Sequence, residues 1–336
     1  MPTQDYDVLV SLQASVGEQE TRLGERGKCR FCPSTDISKF KSVSHTFPEG
    51  LGNKWFVSLD ECDECNTLFS IYDDSLIKSV GPLLTVGGTK GKDNKVRQTG
   101  RSKGSHSIKH HVNDEGRRIS YNLMNLKDEV SSPEGTSISF LMDGTMMMYV
   151  PTPLEKFVPR YAYKCLAKMA LAVMPMSELC NFRKLLEWVK SPDDAEEFPF
   201  LDVGLSLGSL GNAPEIISAS LLRRKPHITR LPYMIFIFCA GSVCWQLDVM
   251  PDERDDACDL AKFGWINIGW SLRFQADDEV PIDIKYSQPT HFDWSSNLSQ
   301  AIPVQGLLDK VADQGRQVEI VADLRPMNPS EMNPSE

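Results

Sequence analysis

The spacing of apolar positions changes period several times along the chain, and each change marks an element. From Asp63 onward Leu68, Phe69, Tyr72, Leu76 and Ile77 recur at three- and four-residue steps, the period of a helix face. Trp55 to Leu59 is aromatic and β-branched between turn residues and reads as a strand. Phe40 to Val43 reads as a shorter strand running up to His45. Ser137 to Met142 and Thr145 to Val150 are apolar runs separated by Asp143-Gly144, a hairpin signal. Glu155 to Val173 and Ser177 to Val189 have helical patterns, broken apart by Pro175. From about residue 216 the pattern is mainly β: Met234 to Ala240, Ser242 to Met250, Trp265 to Phe274 and Ile282 to Tyr286. Asp252 to Phe263 reads as a short acidic helix among them. At the other end, Tyr6 to Ala14 reads as a short helix before a flexible lead-in.

These elements predict an α+β chain: a small cysteine-bearing module followed by a larger mixed α/β C-terminal region. The expected divisions are 1–27, an N-terminal lead-in; 28–80, the cysteine module; and 81–125, a basic glycine-rich segment. Residues 126–190 carry a hairpin and two helices, 191–215 a loop-rich linker, and 216–325 a mainly β domain. Residues 326–336 read as a disordered tail containing the direct repeat MNPSE. The cysteine module is too short to build a good core alone, and a bound metal would supply what the core lacks.

Charge narrows the partners. The chain of 336 residues has a formal net charge of −10, so any DNA binding falls to a local basic patch. Lys90 to Arg118 is such a patch, with nine basic and three acidic residues. Its Lys90, Lys92, Lys95, Arg97, Arg101, Lys103 and Lys109, set among glycines, are candidate DNA phosphate contacts; the alternative is a solvated loop. His110 and His111 lie in the same stretch without the spacing of a metal site. No apolar run reaches membrane length and no secretory leader is visible, so no membrane association and a cytoplasmic location are expected. Cys165, Cys180, Cys239, Cys244 and Cys258 read as reduced thiols, several of them in the core. Leu166 to Val173 reads as core or as a partner-facing helix.

The remaining four cysteines carry the clearest chemistry. Cys29 and Cys32 form one CxxC, Cys62 and Cys65 a second, with 29 residues between. Each CxxC turn aims two thiolates at one point, and two such turns complete a tetrahedron around zinc. A closed four-thiolate site has no open position, so this zinc is structural.

The order CxxC, then His45-Thr-Phe-Pro-Glu-Gly-Leu-Gly-Asn53, then Cys-Asp-Glu-Cys-Asn66 opening a helix resembles the HNH endonucleases. It is most similar to the branch whose ββα-metal fold is pinned by four cysteines. The match covers residues 28 to about 80; a looser likeness extends through Lys95-Val-Arg-Gln-Thr and the stretch from Tyr163 to Pro175. The resemblance implies metal-dependent hydrolysis of DNA phosphodiester bonds, in a restriction or anti-phage defence setting. It implies that His45 is the general base, that Asn53 holds the loop behind it, and that Asn66 ligates a catalytic divalent metal such as Mg or Mn. A helix-start cap is the other reading of Asn66. Many members of the family carry an acid just before the histidine, where this chain has Ser44. Asn66, Ser70 and Asp73 share a helix face and Asp74 is adjacent, so Asp73 or Asp74 is the candidate replacement. Two rival functions stand beside this one. Ser44 supports a non-catalytic zinc-binding module that binds nucleic acid or protein. The acidic C-terminal region supports a nuclease subunit active only with a protein partner.

Overall fold

The apolar residues at positions 6, 8, 10, 12 and 14 fall at the two-residue period of a strand, and that period prevails. β1 (Tyr6–Ser15) is a ten-residue strand where a helix was expected. A bulge between Val8 and Val10 shifts the register partway along it, which blurs the alternation in sequence.

The computed structural model describes residues 4–100, 107–113, 116–122, 137–140, 146–149, 155–191, 198, 201–208, 215–255, 268–274, 282–299, 304–309 and 321–326. After β1 come β2 (Thr21–Leu23), β3 (Ser44–His45), β4 (Phe56–Ser58), α1 (Asp63–Ser79) and α2 (Gly81–Gly87). β5 (Thr99–Gly100), β6 (Ser107–Asn113), β7 (Gly116–Asn122), β8 (Ser137–Phe140) and β9 (Met146–Tyr149) precede α3 (Pro159–Val173), α4 (Met176–Leu179) and α5 (Arg183–Lys190). β10 (Asp202–Leu207), β11 (Ile216–Arg224), β12 (Met234–Ala240), β13 (Val243–Val249), β14 (Ser271–Phe274), β15 (Ile282–Lys285), β16 (Thr290–Asp293), β17 (Val304–Asp309) and β18 (Val321–Pro326) complete the series.

The result is a mixed α/β fold around a six-stranded antiparallel sheet in the order β1-β11-β12-β13-β10-β16. β12 and β13 are buried at every position, which explains their unbroken apolar runs. The expected linker is not all loop: Val203, Leu205 and Leu207 alternate with polar or small residues and make β10 an inner strand of the sheet. The glycine-rich segment is likewise more ordered than expected. It forms α2, closed by Gly88 at φ 73, a turn at Lys92–Asn94, and the sheet β5-β6-β7. The expected hairpin is present as β8 pairing β9, which joins β17 and β18 in a four-stranded sheet; its turn residues Asp143 and Gly144 lie outside the described residues. So do most of the expected acidic helix, from residue 256, and the tail from 327. Among the described residues no helix is long and apolar enough to cross a membrane.

Helix α3 is the centre. Every residue from Pro159 to Val173 except Tyr161 is buried, because the helix lies between α1 on one side and β13 of the sheet on another. The cysteine module has no separate core: Phe31, Phe47 and Phe69 belong to the same apolar cluster as Leu166 of α3 and Phe238 and Trp245 of the sheet. The N-terminal segment is built in at both ends. β1 pairs with β11, and β2 runs parallel to β4 in the small sheet β2-β4-β3.

Candidate functional site

Two loops and one helix start bring the cysteines together. Cys29 and Cys32 sit on the turn after Gly27, where the Cys29 amide bonds the Ser34 carbonyl at 2.9 Å. Cys62 occupies the cap position of α1 and Cys65 its first turn. All four sulfurs lie within 4.8 Å of one another, with Cys29–Cys65 at 3.8 Å and Cys32–Cys62 at 3.6 Å. Four ligands about 2.3 Å from a tetrahedral zinc are about 3.8 Å apart, so the sulfurs fit such an ion. The sulfur contact with Cys65 pulls the Cys29 thiol down to about 4, against its burial, and Cys65 is driven up in return. Sulfurs this close cannot all ionise without a cation among them. The four cysteines thus form a site able to hold a metal such as zinc. Among the described residues they are the one group of three or more His, Cys, Asp or Glu whose ligand atoms converge in this way.

The cysteine turns are fastened to the rest of the fold by buried charge. Arg30 pairs with Asp60 at 2.8 Å, and its guanidinium also donates to the carbonyls of Leu171 and Met174 at the end of α3. The Arg30 amide donates to the Asp60 carbonyl. Burial raises the Asp60 carboxyl, and Arg30 opposes that rise.

His45 ends β3 beside this frame. Its ring is half-buried; Nδ1 is enclosed with no hydrogen-bond partner among the described residues, and Nε2 lies 4.0 Å from Glu49 Oε2. The loop after it is held by Asn53, which is fully buried. Asn53 Nδ2 donates to the carbonyls of Phe47 (2.8 Å) and Phe56 (2.9 Å), while its Oδ1 accepts from the amides of Trp55 (3.2 Å) and Phe56 (3.0 Å). Gly52, at φ 97, provides the left-handed turn that brings Asn53 into place. On the other side, Asp63 accepts from the amides of Lys41 and Ser42 and so braces the approach to β3.

Ser44 is also buried, but strand alternation turns it to the face opposite His45, the face it shares with Thr46, which bonds Ser58 at 2.9 Å. An acid at that position would not stand beside the His45 ring. The acid in contact with the His45 ring is Glu49, while Asp73 of α1 points toward α3. Asp73 Oδ1 accepts from the Cys165 thiol of α3 at 3.2 Å; burial raises its carboxyl, and Lys168, Cys165 and His45 pull it back down. Asp74 is excluded from the site: it faces solvent and pairs with Lys78 at 2.6 Å. Asn66 is not the helix cap, since Cys62 holds that position and the Asn66 amide is already in the helical ladder to the Cys62 carbonyl at 2.9 Å. Among the described residues its half-buried side chain makes no hydrogen bond.

No family model, curated protein or solved structure matches this chain. Its chemistry therefore has to be argued from its own residues.

Two of those residues lie beyond the reach of the motif. Lys168, in the run read as core or partner-facing helix, is completely enclosed. Its Nζ lies 3.0 Å from Glu61 Oε2, donates to the His45 carbonyl at 3.2 Å, and stands over the Phe69 ring at 5.6 Å. Glu61, just before Cys62, is buried as deeply, and its carboxyl is raised by burial against the pull of Lys168. Burial lowers the Lys168 ammonium, but Glu61 and Asp73 overcome it and the net shift is upward, so the lysine is charged. The sequence signal was an i, i+4 pair of lysines, Lys164 and Lys168, inside an apolar helix.

The basic patch divides. Lys90 pairs with Glu215 at 2.6 Å and Arg97 with Glu155, so both are engaged internally. Lys92 and Lys95 are exposed on the turn after Gly91, and Lys109 is half-buried on β6. His110 Nδ1 lies 3.1 Å from the Thr85 carbonyl, a structural contact. Arg101 and Lys103 lie outside the described residues.

Proposed function

We propose that the chain is an HNH-type nuclease that hydrolyses DNA phosphodiester bonds, with zinc on the four cysteines as its frame. One observation carries the reading: Asn53 fixes the loop that follows His45 between the two cysteine pairs, and the His45 ring has its inner nitrogen enclosed and its outer nitrogen toward Glu49. His45 takes the proton of a water at Nε2, and Glu49, 4.0 Å away, offsets the charge that the imidazole then carries. Asn53 holds the loop so that the ring keeps its aim. Asn66 or Asp73, two helical turns and about 10 Å apart on α1, would supply one protein ligand to a divalent cation such as Mg²⁺ or Mn²⁺, which would neutralise charge developing on the phosphate oxygens. One protein ligand suffices in kind, because Mg²⁺ keeps several waters and shares its coordination with substrate phosphate. Among the described residues of the basic patch, Lys92 and Lys95 are exposed and would meet the DNA backbone. A restriction or anti-phage setting follows from the family likeness alone.

A second reading rests on Lys90 and Arg97, whose charges are spent on Glu215 and Glu155. With that patch weakened, a partner protein docked on the acidic C-terminal region would deliver the DNA. Plasmid cleavage with Mg²⁺, Mn²⁺ or Ni²⁺ tests both, comparing the parent with His45→Ala. Cleavage by the parent and loss in the variant is expected. Equal nicking by both removes His45 as the base. No nicking by either, with zinc still bound, favours a partner or a binding module.

A further inference from the structure

A lysine at the centre of a buried helix needs an explanation. Removing an ammonium from water costs several kcal/mol, and a buried ion pair is often no better for stability than two apolar side chains of the same shape. Simple pairing with Glu61 therefore does not account for Lys168. What apolar side chains cannot supply is its other bond: the N–H donated to the His45 carbonyl, from a helix 123 residues away in sequence. The same ammonium rests over the Phe69 ring of α1. One group from α3 thus touches β3, the residue preceding the second CxxC, and the helix that carries Asn66 and Asp73.

We propose that Lys168 is a positioning residue for His45: its ammonium ties the end of β3 to α3 and to Glu61 beside the second CxxC, so that α3 and the sheet behind it hold the site in working geometry. This rests on the nuclease reading for its effect on turnover, but the geometric part stands by itself. Displacing a reacting group by about 1 Å can cost about 100-fold in rate, so a loss of at least about tenfold in kcat with KM little changed is expected when the bond to His45 is lost.

The test uses the full zinc-loaded chain and two variants. Glu61→Gln keeps Lys168, its bond to His45 and an amide oxygen at position 61 to accept from the ammonium. Lys168→Met/Glu61→Gln removes both charges together, leaving no unpaired buried ion. Histidine-selective ¹³C/¹⁵N NMR follows the His45 ring signal, assigned by its absence in His45→Gln; plasmid cleavage gives kcat and KM. The double variant should keep one zinc per chain but displace or broaden the His45 signal and lose turnover, while Glu61→Gln leaves both nearly as in the parent. An unchanged His45 signal in the double variant overturns the proposal, as does an equal displacement in Glu61→Gln, which would make the charge pair the cause. If the double variant fails to fold, Lys168→Gln, which keeps an N–H donor, takes its place and should shift the His45 signal less than Lys168→Ala does; equal shifts overturn the proposal. Absence of cleavage by the parent counts against the nuclease reading alone, since the NMR comparison is read without substrate.

Discussion

The ring of Phe47, two residues beyond His45, packs against Phe238 of the central sheet with centroids 4.9 Å apart. The cysteine module is therefore not a bead on a string but a corner of one core. Phe47→Ala should cost about 3 kcal/mol. Zinc release and loss of tryptophan fluorescence should share one urea transition in the parent and in the variant. Two separated transitions would show that the module folds independently.

The four sulfurs predict one zinc per chain by elemental analysis. Removing it by chelation, or replacing Cys29 by Ser, should lower the melting temperature of the whole chain rather than of a local segment, because Arg30 ties the first cysteine turn to the end of α3.

Asn53 makes four hydrogen bonds from full burial. Asn53→Ala removes all four bonds, leaving the Phe56 carbonyl only its bond from the Thr46 amide, and should cost about 3 kcal/mol in urea unfolding. Asn53→Asp should be no better, because it turns a carboxylate oxygen toward two carbonyls.

Asp73 and Asp74 are adjacent in sequence and opposite in surroundings. Asp73→Asn should abolish Mn²⁺ binding measured by calorimetry and reduce cleavage at least about tenfold. Asp74→Asn gives up only a surface pair with Lys78, worth about 0.5 kcal/mol, and should leave cleavage within about twofold.

Asp248, on β13, is enclosed with neither carboxylate oxygen hydrogen-bonded among the described residues, and burial pushes its carboxyl up to about 8, helped by Asp255 and Asp202. A carboxyl raised in the folded state holds a proton that the unfolded chain has released, so its contribution to stability falls as pH rises from about 4 to about 8. Between pH 5 and pH 7 the loss should be about 3 kcal/mol. Urea titrations at the two pH values should show Asp248→Asn with a smaller pH dependence than the parent. An unaltered dependence would show that Asp248 does not carry it.

Much of the site could be read along the chain because its parts are local. A CxxC turn aims its own two sulfurs, Asn53 bonds backbone within six residues of itself, and the face shared by Asn66 and Asp73 follows from helix geometry. The hairpin β12–β13 was equally legible, since its apolar runs meet at a two-residue turn with Gly241 at φ 54. Where local pattern misleads, the deciding partner is distant. β1 reads as a helix in sequence although its period is that of a strand; its bulge obscures the alternation, and its pairing partner is β11, some two hundred residues on. β10 was hidden in a segment rich in Gly and Pro until β13 and β16 lined its two edges.

Sequence by itself determined which residues can bind metal and which loop holds the histidine, because short-range backbone geometry sets both. Only the tertiary structure decided that Asp73 bonds the Cys165 thiol and that Lys168 reaches the His45 carbonyl. Those outcomes depend on how α3 is wedged between α1 and the sheet, a matter of packing between segments about a hundred residues apart, which no local pattern encodes.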